Sequence, residues 1–537
     1  MTTLGLSPST KTPGVNIALI LGGPGTASGA APKRILLIGN MLESDATGAS
    51  PAFSRAAGTM ALATPTVFNS AAAAGAYAGR GSELHRMSAA VFAEEPQSLV
   101  YGCAAADAAG TAASLVLTFA TEATSAFTVR VYACGLVFDV PVHTGDTATT
   151  IASLVAAAIN AQDVLPYTAQ NSAGQITLTA LSTGPRGNTL TCAFSFISPA
   201  NVETPITTSG PASTGATTGT LAGGLQVGGE YFFTGGATQD SIVAALAAVA
   251  TTKFDRIVLA NVDATNVDRL TTALVSQSAP TVQIRQQGVV GSIAGISTAK
   301  SFAVARNQAL LQIVWHYNSR LPVWEAAAQV AAARLAGDGA VGGLLTGESD
   351  DPAANLNGLE LATVPVQATI ADRPLATDIE DALNNGLTPL APSSARPNFV
   401  RVVRSITSRS TANGVQNYAV IDTSAVTICE YVADDMQQQL ATTFAGYKLA
   451  PNTSDGLPPR APKVTTPLLL RAFIAGLLKG YEERAILVNV DANMPLLTVV
   501  ASNVTPGRVD CEIPAACIPG LNIIGGNVRQ LAPVFAA

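Results

Sequence analysis

Charge is what this chain has least of: only 12% of its 537 residues are Asp, Glu, Lys or Arg, about half the share usual for soluble domains. Yet 48% are hydrophobic, and no apolar run approaches the roughly 18 residues needed to cross a bilayer. Segments such as 326–333 are Ala-dominated and soon interrupted by polar residues. Stable membrane insertion is therefore not expected. A surface so short of charge must be covered by other subunits or coated with Thr, Ser, Asn and Gln, which makes a subunit of an assembly the first expectation. The first twelve residues lack the basic and apolar regions of a signal peptide, so cytosolic synthesis is expected.

Chemistry is equally sparse. The six cysteines (103, 134, 192, 429, 511 and 517) form no Cys-x-x-Cys pair and read as small core residues in a reducing compartment. A chain of 537 residues has room for three or four domains with cores of their own, so crosslinks are not needed for stability. His85, His143 and His316 fall in different contexts without metal-ligand spacing. The Gly-rich stretch 22–29 does not end in Gly-Lys-Ser/Thr and reads as a linker rather than a phosphate loop. There is no Gly-x-Ser-x-Gly elbow for a nucleophilic serine. Asp350-Asp351 and Asp434-Asp435 could hold a cation or be solvated, and Asn452 and Asn503 fit glycosylation sequons only formally. No catalytic, metal-binding or cofactor-binding residue is assigned, and no cofactor is expected.

The net charge of −7 is unevenly spread: residues 395–537 hold 12 basic and 10 acidic residues, the preceding part 17 basic and 26 acidic. The overall sign argues against direct nucleic-acid binding, which needs clustered Lys and Arg. The two parts could attract each other between subunits, or the asymmetry could be ordinary fluctuation.

Residues 1–22, with Pro8, Pro13 and Gly14, read as an extended N-terminal arm. The run from Arg34 to Gly39 reads as a buried strand that begins a core domain. Between 104 and 224, Thr, Ser, Ala and Gly take over and only eight residues are charged, which marks a separate module. In it, alternation at Phe127, Val129 and Val131, the Cys134-Gly135 turn and the return 137–142 predict a hairpin. Ile151, Leu154, Val155, Ala158 and Ile159 predict an amphipathic helix. Gly184-Pro185-Arg186-Gly187-Asn188 predicts a turn, and the Thr- and Gly-rich residues 207–224 an exposed loop. From 224 to about 389 strands alternate with helices, the pattern of an open, largely parallel sheet. Beyond the Pro-rich 389–397, strands 399–409 and 415–421 joined at Asn413-Gly414 predict a hairpin, followed by helices over 424–443 and 467–483 and further strands. On the first of these, period two puts Arg401 and Arg409 on one side and Arg404 on the other, as guards of an edge, a charged protein contact or a solvated face. The expected fold class is thus α/β and α+β multidomain: a core of 23–103 and 225–391, a β-rich insertion of 104–224, an α+β domain of 395–520, and arms at 1–22 and 521–537.

Several segments, in order, resemble the contractile tail sheath proteins of myophages, particularly the Mu-like branch. They are Arg401-Val402-Val403-Arg404-Ser405-Ile406-Thr407-Ser408, Lys448-Leu449-Ala450, Thr466-Pro467 with Arg471-Ala472, and Pro506-Gly507-Arg508-Val509-Asp510 leading to Ile513-Pro514. Upstream, Pro13-Gly14-Val15 and Gly79-Arg80-Gly81-Ser82-Glu83-Leu84 with Met87 extend the match, as do residues 125–190. Ala78 stands where the family usually has an aromatic, and the loop after Lys448 is longer than usual. The resemblance implies a central α/β sheath domain and a non-enzymatic subunit that polymerises with its own copies as stacked hexameric rings around a tail tube and contracts to drive the tube through the host envelope. It implies the insertion module outside, the C-terminal domain innermost, and arms that add strands to neighbours' sheets, with Val15, Ile17 and Leu19 in one donated strand and Val528 and Leu531 in the other. Its partners would be the tail tube protein and the baseplate and tail terminator proteins, in a virion tail assembled in the host cytoplasm. A headless phage-tail-like bacteriocin, a related contractile injection system and a surface-layer protein are the alternatives.

Overall fold

The computed structural model describes residues 33–49, 52–206, 212–214, 217–222, 225–227, 230–337, 356–412, 414–417, 419–452 and 461–520. Both expected arms, with Val15, Ile17, Leu19, Val528 and Leu531, lie outside the described residues, as does Asp350-Asp351. The described chain is a multidomain mixture of α/β and α+β architecture, organised on a nine-stranded sheet.

Six parallel strands form the middle of that sheet, in the order Leu99–Ala105, Arg34–Asn40, Arg256–Leu259, Gln287–Ser292, Leu311–Trp315 and Thr388–Pro392. Antiparallel strands close both sides: Thr66–Phe68 beside Leu99–Ala105, and Phe399–Val402 followed by Glu360–Pro365 beside Thr388–Pro392. The run Ile35 to Ile38 is apolar throughout because both faces are covered. Ile35 and Leu37 pack with Leu84, Met87 and Val91 of helix Glu83–Glu94 and with Trp324 and Val330 of helix Val323–Gly337. Leu36 and Ile38 face Leu246, Leu270, Leu274 and Ala303 on the opposite side. The helix starting at Val323 is buried along its length, and its many alanines let it lie close to the sheet.

The insertion enters between the strands Leu99–Ala105 and Arg256–Leu259. It consists of a five-stranded and a four-stranded antiparallel sheet with the helix Ala148–Ala161, whose Ile151, Val155 and Ile159 are fully buried. Thr147 caps that helix by accepting from the Thr150 N–H. The Cys134-Gly135 turn has positive φ at both residues, 43° and 87°, which matches a type I′ hairpin. Residues expected to form an exposed loop depart from expectation: Ala212–Thr214 and Thr217–Ala222 are strands, the latter paired antiparallel with Ala112–Phe119. β-branched threonines suit such a ladder even without apolar alternation.

The predicted strand 399–409 ends at Val402, and its residues Phe399–Val402 are hydrogen-bonded into the central sheet. After it, backbone groups find scattered partners: Thr407 N–H donates to Ile421 O and Ser408 N–H to Leu311 O. The period-two facing of Arg401, Arg404 and Arg409 therefore does not hold, because only Arg401 is on the strand. Beyond it stand the helices Thr423–Thr443 and Pro467–Glu483 and the two-stranded Thr498–Ala501/Val509–Glu512 hairpin around a small core of Met436, Ile474, Leu478, Tyr481 and Leu487. The strand expected over 486–490 is reduced to an isolated bridge from Leu487 to Cys517, and Val490 already opens the short helix Val490–Asn493.

Candidate functional site

In an open α/β sheet ligands bind beyond the carboxyl ends of the strands, where the strand order reverses. Here the order by sequence is second, first, third, fourth, fifth, sixth, so the reversal lies between Arg34–Asn40 and Arg256–Leu259. Asn40 and Asn261 mark the strand ends, and the helix starting at Glu83 points its N-terminus there, capped by Ser82, which accepts from the His85 N–H.

This crevice is filled by Arg186 of the insertion module. The expected turn at 184–188 is a 3-10 helix, Pro185–Thr189, with Gly184 at φ 95°. It drives the Arg186 side chain, 2% exposed, onto Glu83 and Asp240: Nη1 donates to Glu83 Oε2 at 2.7 Å and Nη2 to Asp240 Oδ2 at 2.7 Å. Asn261 Oδ1 accepts a longer contact at 3.5 Å. Glu83 Oε2 also accepts the Asn40 N–H at 2.9 Å, and Asn261 donates to Asp240 Oδ1 at 3.1 Å. Asp107 completes the cluster, accepting from Asn40 Nδ2 at 2.6 Å and from Thr183. Burial pushes the Glu83 carboxyl up to about 7 despite the Arg186 charge and the Asn40 hydrogen bond, with Asp240 and Asp107 adding repulsion. Between Glu83, Gly187, Leu190 and Trp324 about 10 Å³ remains, room for one water.

Three arginines of the central domain return the grip. Arg55 donates to Leu165 O at 2.6 Å and to Gln162 O at 3.1 Å, the latter at the negative C-terminal end of the module's helix. Arg86 forks onto Glu325 at 2.5 and 3.1 Å and also reaches Val164 O and Cys134 O. Arg80 pairs with Asp163 at 2.7 Å on the exposed rim. Burial works against the Arg86 charge, but the Glu325 carboxylate outweighs it and holds the group above its ordinary value. Gly81, at φ 82°, lies where a Cβ would come within 2.3 Å of Leu165 O, so the seam also needs a glycine there.

The residues predicted as charged contacts do not converge. Arg401 lies half-buried on its strand between Glu360 and Ala391. Arg404 forks onto Asp422 at 2.7 and 2.9 Å, and Arg409 lies in the irregular stretch that follows. Asp434-Asp435 is no cation site: Asp434 pairs with Arg285 and Lys253, and Asp435 accepts from Tyr481. Among the described residues no group of three His, Cys, Asp or Glu side chains is placed to hold a metal ion. His85 is buried, with Nδ1 accepting the Gly81 N–H, and burial followed by the Arg86 and Arg80 charges lowers it to about 4. Glu83, Arg186 and Asp240 carry no functional assignment in the sequence. The available signal was Arg186 itself, one of two basic residues in a module nearly without charge, set between helix-breaking residues.

No helix among the described residues is long and apolar enough to cross a membrane. No family model matches the chain, and no curated protein sequence matches it. Among solved structures, the chain is similar to a sheath tail protein from Desulfitobacterium hafniense, at 13% identity and a TM-score of 0.46, covering 91% of this chain and 94% of that one. It is also similar to a sheath tail protein from Listeria innocua, at 12% identity and a TM-score of 0.41, covering 89% of this chain and 90% of that one.

Proposed function

We propose that the chain is a structural subunit of a contractile tail sheath, polymerising as stacked hexameric rings around a tail tube and contracting without a nucleotide. The observation that carries this reading is the convergence of the segments behind the resemblance. Three of them, 448–450, 466–472 and 506–514, meet in one small unit after residue 440. Lys448–Leu449 pairs with Val464–Thr465, Thr466 caps the helix starting at Pro467 by accepting from the Leu469 N–H, and Arg471 of that helix donates to Met494 O and Leu497 O. Gly507, at φ 79°, turns the chain into Val509–Glu512, and Arg508 pairs with Asp510 at 2.8 Å.

A two-stranded sheet on one helix is close to the minimum that is stable, and added strands would complete it. Leu496, Val500 and Val504, 61%, 49% and 74% exposed, surround it with apolar surface that copies of the chain would cover. Strands donated by residues 1–22 and 521–537 of neighbouring copies are the proposed cover, joining subunits through backbone hydrogen bonds while linkers let them turn. Contraction then draws on the difference between two lattices of contacts. A switch-point crevice filled from within, rather than open to substrate, accords with a subunit whose work is assembly. The tube, baseplate and terminator proteins are its proposed partners.

Negative-stain electron microscopy of the purified full chain tests the reading. Long hollow tubes are expected; planar arrays would favour a surface layer, and monomers persisting at high concentration would sink both. Charge reversals at Arg401 and Arg409 that leave tubes and their contraction unchanged would remove those residues from the proposed contacts.

A further inference from the structure

Arg186 sits in the switch-point crevice as a small cationic ligand would, and we propose that the central domain carries there a guanidinium-binding pocket which the chain fills with its own side chain. Every wall that contacts the fork comes from outside the insertion: Glu83 from the start of a helix, Asp240 from the segment before another, and Asn261 from just beyond a strand. The two carboxylates have their own supports, Asn40 N–H on Glu83 and Asn261 Nδ2 on Asp240, so their placement does not depend on the arginine alone. Both are nine-tenths or more buried, with side chains 5% and 2% exposed.

The pocket reads the end of the fork. Nη1 and Nη2 make all the contacts, while Nε has no partner among the described residues. A guanidinium on a short stem can therefore meet the same groups, whereas an ammonium offers a point charge without the planar fork. Docking of the module on the core is thus a binding event made intramolecular. This inference does not depend on the sheath reading.

Removal of the arginine should leave a vacant pocket with two buried carboxylates that solute guanidinium refills. The experiment uses the full chain as R186A, with methylguanidinium at millimolar concentrations, far below denaturing levels, against methylammonium chloride at equal ionic strength. R186A should melt several degrees below wild type. Methylguanidinium should restore part of that loss in a saturable way while methylammonium does not, and the wild type should respond to neither. Equal responses of R186A to the two cations, or of R186A and wild type to methylguanidinium, would overturn the proposal. If R186A does not accumulate as folded protein, its refolding yield in the two solutes becomes the readout, and equal yields overturn the proposal in the same way.

Discussion

The insertion module and the C-terminal helices are both fastened to the central sheet by buried polar groups, but in opposite style. The module spends three of its eight charges at the seam: Asp107, Asp163 and Arg186 meet the core, while Arg130, Asp139 and Glu203 pair among themselves on its own sheet. The C-terminal side instead uses a ladder of neutral and charged partners across the sheet's strands. Gln312 donates to Thr388 and Ser405, Ser405 shares a hydrogen bond with Thr423, Arg256 donates to Thr427, Gln287 donates to Glu430, and Arg334 bridges Gln287 and Gln312. Behind its seam the module has a large core continuous with that of the central domain, whereas residues 467–520 rest on a small separate one. The module's few charges thus have two uses: Asp107, Asp163 and Arg186 fasten it to the core, while Arg130, Asp139 and Glu203 brace its own sheet.

The largest effect expected to break this comparison comes from a matched pair of variants. Arg86→Ala leaves Glu325 buried without its counter-ion and should cost about 3–5 kcal/mol, with loss of amide protection concentrated at 127–142 and 162–165. Leu478→Ala opens a cavity in the small C-terminal core and should cost about 2–4 kcal/mol, with exchange confined to the last helix and hairpin. Denaturant unfolding with hydrogen exchange reads both. Spread of the Leu478→Ala damage into the module would show that the two regions are one cooperative unit rather than two separately fastened ones.

Acid offers a second, smaller probe, because it acts on the sheet between the two regions. His316, 0% exposed and with neither ring nitrogen hydrogen-bonded among the described residues, is lowered by burial to about 4. A depressed base contributes stability that is full above the unfolded value near 6.5 and is lost as pH falls toward 4. That loss amounts to about 3 kcal/mol. Glu83 works in the opposite sense, since burial raises it to about 7 and protonation therefore favours the folded form as pH drops. Comparing wild type with His316→Leu separates the two. The variant's stability should fall less between pH 6.5 and 4, and parallel pH curves would refute a buried neutral histidine.

Most of the framework was legible because it is periodic. The run 34–39 and the helix through Ile151, Val155 and Ile159 show their buried faces in the order of their apolar residues, and the alternation of strands and helices after 224 announces the parallel sheet. What escaped are elements built by polar groups. Residues 217–222 make a strand from threonine and glycine, without alternation to reveal it. After Val402 the chain stops being a strand although its residues suit one, because Ser405, Thr407 and Ser408 find partners in the loops at Asn357, Val420 and Gln308. The pocket around Arg186 was invisible for the same reason: Glu83, Arg186 and Asp240 are unremarkable singly, and only the topology brings the strand reversal, the helix start and the module's 3-10 turn to one point.

The mildest test sharpens the account of the seam itself. Arg80 and Asp163 join the module to the core at 2.7 Å, but their side chains are 55% and 44% exposed, so water and salt compete with the pair. Long side chains held at an exposed rim gain little from pairing, typically no more than about 1 kcal/mol. Arg80→Ala should therefore shift the denaturation midpoint barely beyond error and leave protection at 162–165 intact, in contrast to Arg86→Ala six residues along the same segment. A loss from Arg80→Ala comparable to that from Arg86→Ala would mean that the seam is held by its charge as a whole, not by the depth at which each arginine is buried.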